Sequence, residues 1–183
     1  REEIGRPLRI ADPFCGVGPA LATLLAEADL VSDLLATDLN PDAVKLLMSN
    51  LSKWDRRTYP DGAIKLQRIH ENRLVGMADA LTLGDDSEIA GKWDLVLVNL
   101  PHRTIEFLPA IIPLLNRNSP SMIRGRAIVD ESEIEQANET IRACLPKLMP
   151  NKPQPSLKIK RDYSSTLRLC SFQAWLSPQE ETN

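Results

Sequence analysis

No apolar stretch in the sequence approaches the roughly 20 residues needed to cross a bilayer, and the N-terminus lacks the basic-then-apolar order of a secretory signal. A soluble, non-membrane protein is expected. Cysteine is scarce as well: Cys15, Cys144 and Cys170 are odd in number, widely spaced and without a Cys-x-x-Cys pair. That pattern argues against a disulfide framework and against a zinc site, so no metal is expected, and it fits a reducing, cytoplasmic compartment. Positive charge is also short. Lys and Arg number 22 against 25 Asp and Glu, a formal net charge of -3, so attraction to phosphate cannot be a property of the whole molecule and any nucleic-acid contact must be a local patch. Heptads, internal repeats and low-complexity tracts are missing too. What is present is a chain of 183 residues with 43% hydrophobic content, which matches one domain with one sizeable core spanning residues 1–183. The chain opens on Arg1 rather than Met, and the expectation is a catalytic or binding domain cut from a longer protein, with a monomer favoured.

Strand and helix patterns alternate along most of the chain. Leu8 to Asp12 reads as a strand, followed by a loop rich in Gly and Pro, then a helix from Ala20, with Pro19 near its first turn and Leu21, Leu24, Leu25 and Ala28 at helical spacing. Leu34 to Asp38 reads as a second buried strand. Asn40-Pro41-Asp42 caps the next helix, whose apolar stripe is Val44, Leu47, Met48 and Leu51. Residues 52–62 are polar and end in a Pro-Asp-Gly turn, and residues 63–74 fit an irregular strand or a helix equally well. Leu74 to Ala80 reads as a third strand, with a loop at Gly84-Asp85-Asp86. Trp93 to Asn99 is apolar throughout its middle, as in a strand buried on both faces. A helix over about Ile105 to Leu115, a strand over Arg126 to Val129, and a helix carrying Ile134, Ala137, Ile141, Cys144 and Leu148 continue the alternation. After a Pro-rich linker at 150–155, Leu157 to Arg161 and Leu167 to Leu176 are strands joined directly, which requires an antiparallel hairpin. The fold class is α/β, a mainly parallel sheet with helices on both faces and a C-terminal antiparallel pair.

Open parallel sheets bind ligands beyond the carboxyl ends of their strands, so the strand ends are the places to look for chemistry. Asp12-x-x-x-Gly16-x-Gly18 lets bare backbone approach a ligand and opens a helix whose N–H groups face it. An ordinary tight turn is the other reading of that spacing. The third glycine of a dinucleotide fingerprint is replaced by Leu21, which counts against NAD or FAD. Asp38 lies about 20 residues further on, where a carboxylate accepts from both ribose hydroxyls. Asn40 already supplies a capping oxygen, which leaves less for a purely structural Asp38 to do. Asp79, at the third strand end, can accept from an exocyclic amine. Asn99-Leu100-Pro101-His102 presents a side-chain amide on a proline-stiffened turn, suited to the edge of a planar, hydrogen-bonding substrate, or else closes a β–α connection as an Asx-type turn. Cys15 has no evident basic partner and is expected to be a small packing residue.

Three elements taken in order carry a family resemblance: Asp12 to Pro19, then Asp38-Leu39-Asn40-Pro41-Asp42-Ala43 with Leu46, Leu47 and Asn50, then Asn99 to His102 with Glu106-Phe107-Leu108. Together they resemble the class I S-adenosylmethionine-dependent methyltransferases, and more narrowly the tRNA guanosine-37 N1-methyltransferases and the wybutosine-pathway transferases. The resemblance runs from about Leu8 to Leu115 and returns at Lys158 to Arg161. It implies a Rossmann-like methyltransferase fold and S-adenosylmethionine as cofactor. It assigns Gly16, Gly18, Asp38 and Asp79 to the cofactor, together with Asp12, Phe14, Leu39 and Asn99. It turns Asn99 and Pro101 toward the target base. The family's general-base glutamate and its tRNA-recruiting region lie upstream of the first strand.

The function expected is methyl transfer to N1 of guanosine 37 beside the anticodon, with the tRNA anticodon loop as partner. Arg142, Lys147, Lys152, Lys158, Lys160 and Arg161 follow one another with no acid between Arg142 and Arg161, which suits RNA or a solvated helix end and linker. The alternatives are transfer of the aminocarboxypropyl group in wybutosine synthesis, a non-catalytic methyltransferase-like binding module, and, third, a nicotinamide dehydrogenase.

Overall fold

The computed structural model describes residues 2–178. Their elements are β1 (Leu8–Asp12), α1 (Pro19–Ala26), β2 (Val31–Asp38), α2 (Pro41–Trp54), β3 (Gln67–His70), β4 (Arg73–Met77), β5 (Leu95–Val98), α3 (Thr104–Ile111), β6 (Ser121–Asp130), α4 (Ile134–Cys144), β7 (Lys158–Asp162) and β8 (Leu167–Leu176), with short 3-10 turns at Leu83–Asp85, Ile112–Leu114 and Glu131–Glu133. The strands form one sheet in the order β3-β4-β2-β1-β5-β6-β8-β7. Pairing is parallel from β4 through β2, β1 and β5 to β6, and antiparallel where β3 meets β4 and where β8 lies between β6 and β7. The expected C-terminal hairpin is therefore present, with β8 inserted ahead of β7. Strand order reverses between β1 and β5, which places the crevice beyond Asp12 and Val98.

Local chemistry accounts for most boundaries. Asn40 accepts from the Asp42 amide at 2.9 Å and starts α2, and Val44, Leu47, Met48 and Leu51 form its buried face. Helix α4 stops at Cys144 rather than reaching Leu148, because Leu145 precedes Pro146 and takes an extended conformation, ψ 140°. Helix α3 ends at Ile111 and the chain tightens into a 3-10 turn at Ile112–Leu114, since Pro113 has no N–H to continue the helical ladder. Gly84 and Asp85 lie in a 3-10 turn rather than a free loop. The third expected strand ends at Met77, so Asp79 lies beyond it. The strand expected over Arg126 to Val129 is longer, Ser121–Asp130, because all ten of its residues pair with β8.

The ambiguous segment contains β3, a short, mostly exposed edge strand. It is held by a buried ion pair: Arg73, 3% exposed, donates through Nε and Nη2 to the two oxygens of Asp55, each at 2.9 Å. The Tyr59 hydroxyl donates to Asp55 at 2.7 Å. Burial opposes charge on Asp55, but the bonds from Arg73 and Tyr59 outweigh it and hold its pKa below the ordinary carboxylate range.

Helices α1 and α2 cover β2 and β4 on one face of the sheet. On the other, α3 and α4 cover β5, β6 and β8. On that second face Gly125 gives way to Phe172, since a Cβ at Gly125 would lie 2.3 Å from the Phe172 ring. Gly125→Ala is expected to lower stability by about 1–3 kcal/mol through overpacking, measured by denaturant unfolding. An unchanged midpoint would show that Phe172 has room to move.

Candidate functional site

The loop after β1 is fastened to the end of β2. The Cys15 amide donates to the Thr37 carbonyl at 3.0 Å, and Thr37 Oγ1 donates to the Pro13 carbonyl at 3.3 Å. Asp38 does most of the fastening: Oδ2 accepts from the Gly16 amide at 2.8 Å and Oδ1 from the Asn40 amide at 2.9 Å. The glycines are required by geometry. Gly18 caps α1 in the left-handed conformation, φ 85°, and a Cβ there would lie 2.8 Å from Leu47 Cδ1 and 3.0 Å from the Trp54 ring. Asn50, on α2, donates to the Val17 carbonyl at 2.9 Å and pins the loop from the other side.

Asp12 lies beneath this loop, 2% exposed, and its Oδ1 has no hydrogen-bond partner among the described residues. Burial raises its pKa to about 7, against a backbone hydrogen bond from Phe14 and with help from the nearby Asp38 charge. A buried carboxylate with a vacant acceptor, beside backbone amides and at the strand-order reversal, is suited to a cationic group on a ligand. Burial, with Asp12 and Asp38 close by, raises the Cys15 thiol pKa, so Cys15 is the packing residue the sequence suggests.

Phe14 is half-buried and packs edge-to-face on Phe107 of α3, with ring centroids 5.5 Å apart. It thereby ties the glycine loop to the Asn99 turn. Leu39 is 69% exposed after β2 and Leu81 is 48% exposed after β4, which leaves apolar side chains standing at adjacent strand ends. Asp79 is exposed and accepts from the Leu81 amide at 3.0 Å, so it shapes its own turn and keeps oxygen capacity for a further donor. Its contacts stay within that turn, whereas Asp12, Gly16 and Asp38 form one connected unit.

The Asn99 turn is rigid on the backbone side. The Pro101 carbonyl accepts from the Ile128 amide of β6 at 2.8 Å, and the Leu100 carbonyl accepts from the Arg103 amide and from Thr104 Oγ1, each at 2.9 Å. The Asn99 side chain is exposed, without a hydrogen-bond partner among the described residues, and lines the same groove as Asp12. Glu3, His102 and Glu106 are candidate proton acceptors within the chain. Glu3 is paired with Lys152, and Glu106 with Arg103 at 2.5 Å, a hydrogen bond that keeps the Glu106 pKa low. His102 Nε2 lies 3.2 Å from the Tyr163 hydroxyl.

Sequence reasoning missed Tyr163, which the β7–β8 hairpin brings to His102 across a separation of 61 residues. It also missed Asn50 as a loop anchor, although Asn50 stands in the quoted motif, and the cations of β6. The basic run from Arg142 to Arg161 divides in space: Arg142 pairs with Glu135 and Lys152 with Glu3, acids that are distant in the chain or on the same helix. Among the described residues no group of three or more His, Cys, Asp or Glu could hold a metal ion, and no helix is long and apolar enough to cross a membrane.

No family model matches the chain. A search of solved structures finds TYW2 of M. jannaschii in complex with AdoMet at TM-score 0.70 and 18% identity, covering 96% of this chain and 72% of that one. The fold is that of the class I methyltransferases. The M. jannaschii tRNA m1G37 methyltransferase matches this methyltransferase fold at TM-score 0.65 and 15% identity, over 98% of this chain and 47% of that one. In sequence, the tRNA (guanine(37)-N(1))-methyltransferase Trm5b of Pyrococcus abyssi is 36% identical over 107 residues, 58% of this chain. The chain spans about a quarter of the length of that curated relative, 26%.

Proposed function

We propose that the chain is the S-adenosylmethionine-binding catalytic domain of a longer tRNA methyltransferase that modifies N1 of guanosine 37, working in the cytoplasm on the anticodon loop. The observation that carries this reading is the placement of Asn99. Its amide is free and exposed on a turn whose Leu100 and Pro101 carbonyls are engaged, in one groove with the vacant oxygen of Asp12. The likeness in sequence to Trm5b supports the choice of acceptor.

The residues present fit the cofactor. Asp12 would hold its ammonium, the Gly16 to Gly18 backbone would admit it closely, Asp38 would accept from the ribose, Leu39 would supply an apolar surface and Asp79 an acceptor for the adenine amine. When bound, S-adenosylmethionine supplies a methyl group already activated by the sulfonium. Phe14, through Phe107, holds the donor side in register with the acceptor side. Asn99 and the Pro101 turn orient the guanine edge, so that alignment rather than bond polarisation is the enzyme's main task. The proton leaving N1 would pass to the general-base glutamate that the resemblance places upstream of β1; of Glu3, His102 and Glu106 in this chain, His102 is the acceptor not held in an ion pair.

Asn99→Ala is expected to lower methyl transfer to a tRNA carrying guanosine at position 37 by about 10- to 100-fold, the worth of one oriented polar contact. Affinity for S-adenosylhomocysteine, read by calorimetry, is expected to change little. Loss of cofactor binding with turnover intact at saturation would move Asn99 to the donor half of the site. Mass analysis of the product separates methyl from aminocarboxypropyl transfer.

A further inference from the structure

One face of the sheet, over β5, β6, β8 and β7, opens into a groove of about 1150 Å³ that runs from Asp12 and Asn99 to the edge strand β7. Alternation decides what lines it. On β6 the inward side chains Ile123, Ala127 and Val129 pack under α3 and α4, while Arg124 and Arg126 point the other way and are exposed. On β7, Lys158, Lys160 and Arg161 are exposed and line the same groove. Register brings the two sets together: Arg126 is paired with Ser171 and Ser171 with Lys158, so these three lie in one row across β6, β8 and β7. Two strand spacings, about 9–10 Å, separate the two lines of cations.

None of these five cations has a carboxylate partner among the described residues, although Arg6, Arg73, Arg103, Arg142, Lys152 and others do. Asp12, at the far end, is the acid that lines the groove. Five unneutralised cations along a concave strip, in a chain whose formal net charge is -3, make a local polyanion site of the kind the overall charge would otherwise forbid. The strip offers no bare aromatic platform, because the Trp175 ring is covered by the Lys152 ammonium at 5.1 Å. Binding there would therefore depend on phosphates rather than on base stacking.

We propose that this groove holds the phosphodiester backbone of a single RNA strand, the stretch flanking the nucleotide presented to Asn99. The assignment rests on the RNA-methylation reading and adds the surface through which the substrate is held. Its direction follows from the sheet: Arg126 lies on the strand beside the Asn99 turn, since β5 and β6 run parallel with Val98 opposite Gly125, and Lys158, Lys160 and Arg161 carry the strip on to the β7 edge.

The test is fluorescence anisotropy of a labelled single-stranded RNA against the 183-residue chain, across salt from about 50 to about 200 mM. Five phosphate contacts predict a fall in affinity of about a hundredfold over that range. The variant Arg124→Gln/Arg126→Gln/Lys158→Gln/Lys160→Gln/Arg161→Gln should bind at least about tenfold more weakly at the low-salt end and lose most of the salt dependence. A second variant, Lys158→Glu/Lys160→Glu, changes exposed edge-strand residues alone and should also lose RNA while keeping its melting temperature. The control Lys45→Gln/Arg56→Gln/Arg117→Gln removes cations that lie on separate elements and should keep the salt slope. RNA affinity unchanged in the groove variants, an equal loss in the control, or acidic polyglutamate binding as tightly as RNA would each overturn the proposal. If groove variants lose RNA but the chain methylates no tRNA, the surface stands and the reaction falls. If tRNA is methylated and groove variants bind RNA as wild type does, the reaction stands and the surface falls.

Discussion

Asp38→Ala is expected to weaken binding of S-adenosylhomocysteine by about a hundredfold or more. Two effects combine. The carboxylate is lost as an acceptor for the ribose, and the Gly16 and Asn40 amides, now bonded to its two oxygens, lose their partner. A hydrogen bond to a charged group contributes about 1.5–3 kcal/mol, so losing the ribose contacts and releasing the loop together exceed two powers of ten. Asp38→Asn keeps one acceptor oxygen and should fall between the two. Calorimetry on the folded domain decides it, with circular dichroism to confirm that the fold survives. Affinity unchanged in Asp38→Ala would place the ligand elsewhere, and measurable NAD binding would favour a dehydrogenase.

The second large effect is a dependence on pH carried by Asp12. Its carboxyl titrates near 3.8 when unfolded and near 7 in the fold, raised chiefly by burial. Between those values the native state holds the proton that the unfolded chain has released, so the contribution of Asp12 to stability falls as pH rises through that window. The loss is about 1.4 kcal/mol for each pH unit, and it levels off above the folded pKa. Asp12→Asn should therefore melt near the wild-type temperature at about pH 4 and clearly above it at about pH 8. Comparing the two proteins cancels Asp55 and Asp94, whose pKa values are lowered and whose contributions are lost toward acid. On the proposed reading a bound ammonium favours the Asp12 anion, so S-adenosylhomocysteine should bind wild type more tightly as pH rises to about 7 and bind Asp12→Asn with little pH dependence. A variant that melts below wild type at both pH values would mean that Asp12 is neutral for another reason, such as a hydrogen bond it donates.

Much of the site is legible in the residues because its parts are local. Asn40-Pro41-Asp42 starts a helix through a cap spanning two residues, and Asp12 with Gly16 and Gly18 marks a strand, a turn and a helix start within a few positions. Pro101 stiffens a turn whose amide-bearing residue is its near neighbour. Such features need no knowledge of the remaining chain, since short-range sterics and capping determine them. Boundaries were harder where pairing sets them. β6 runs from Ser121 because β8 lies alongside it, and its alternating Arg124, Gly125 and Arg126 do not look like a buried strand when read alone. β3 is short, exposed and defined by its partner β4.

The sequence by itself determined the α/β alternation, the glycine loop, the acid at the end of the second strand and the Asn99 turn, because burial periodicity and turn chemistry are written into neighbouring residues. Tertiary structure alone decided that Asp38 holds the Gly16 amide, that Tyr163 meets His102, that Arg142 and Lys152 are neutralised while Lys158, Lys160 and Arg161 are not, and that Arg124 and Arg126 join them. These are contacts between residues far apart in the chain or choices between the two faces of a strand. Sheet order and register set them, and no local pattern carries that information.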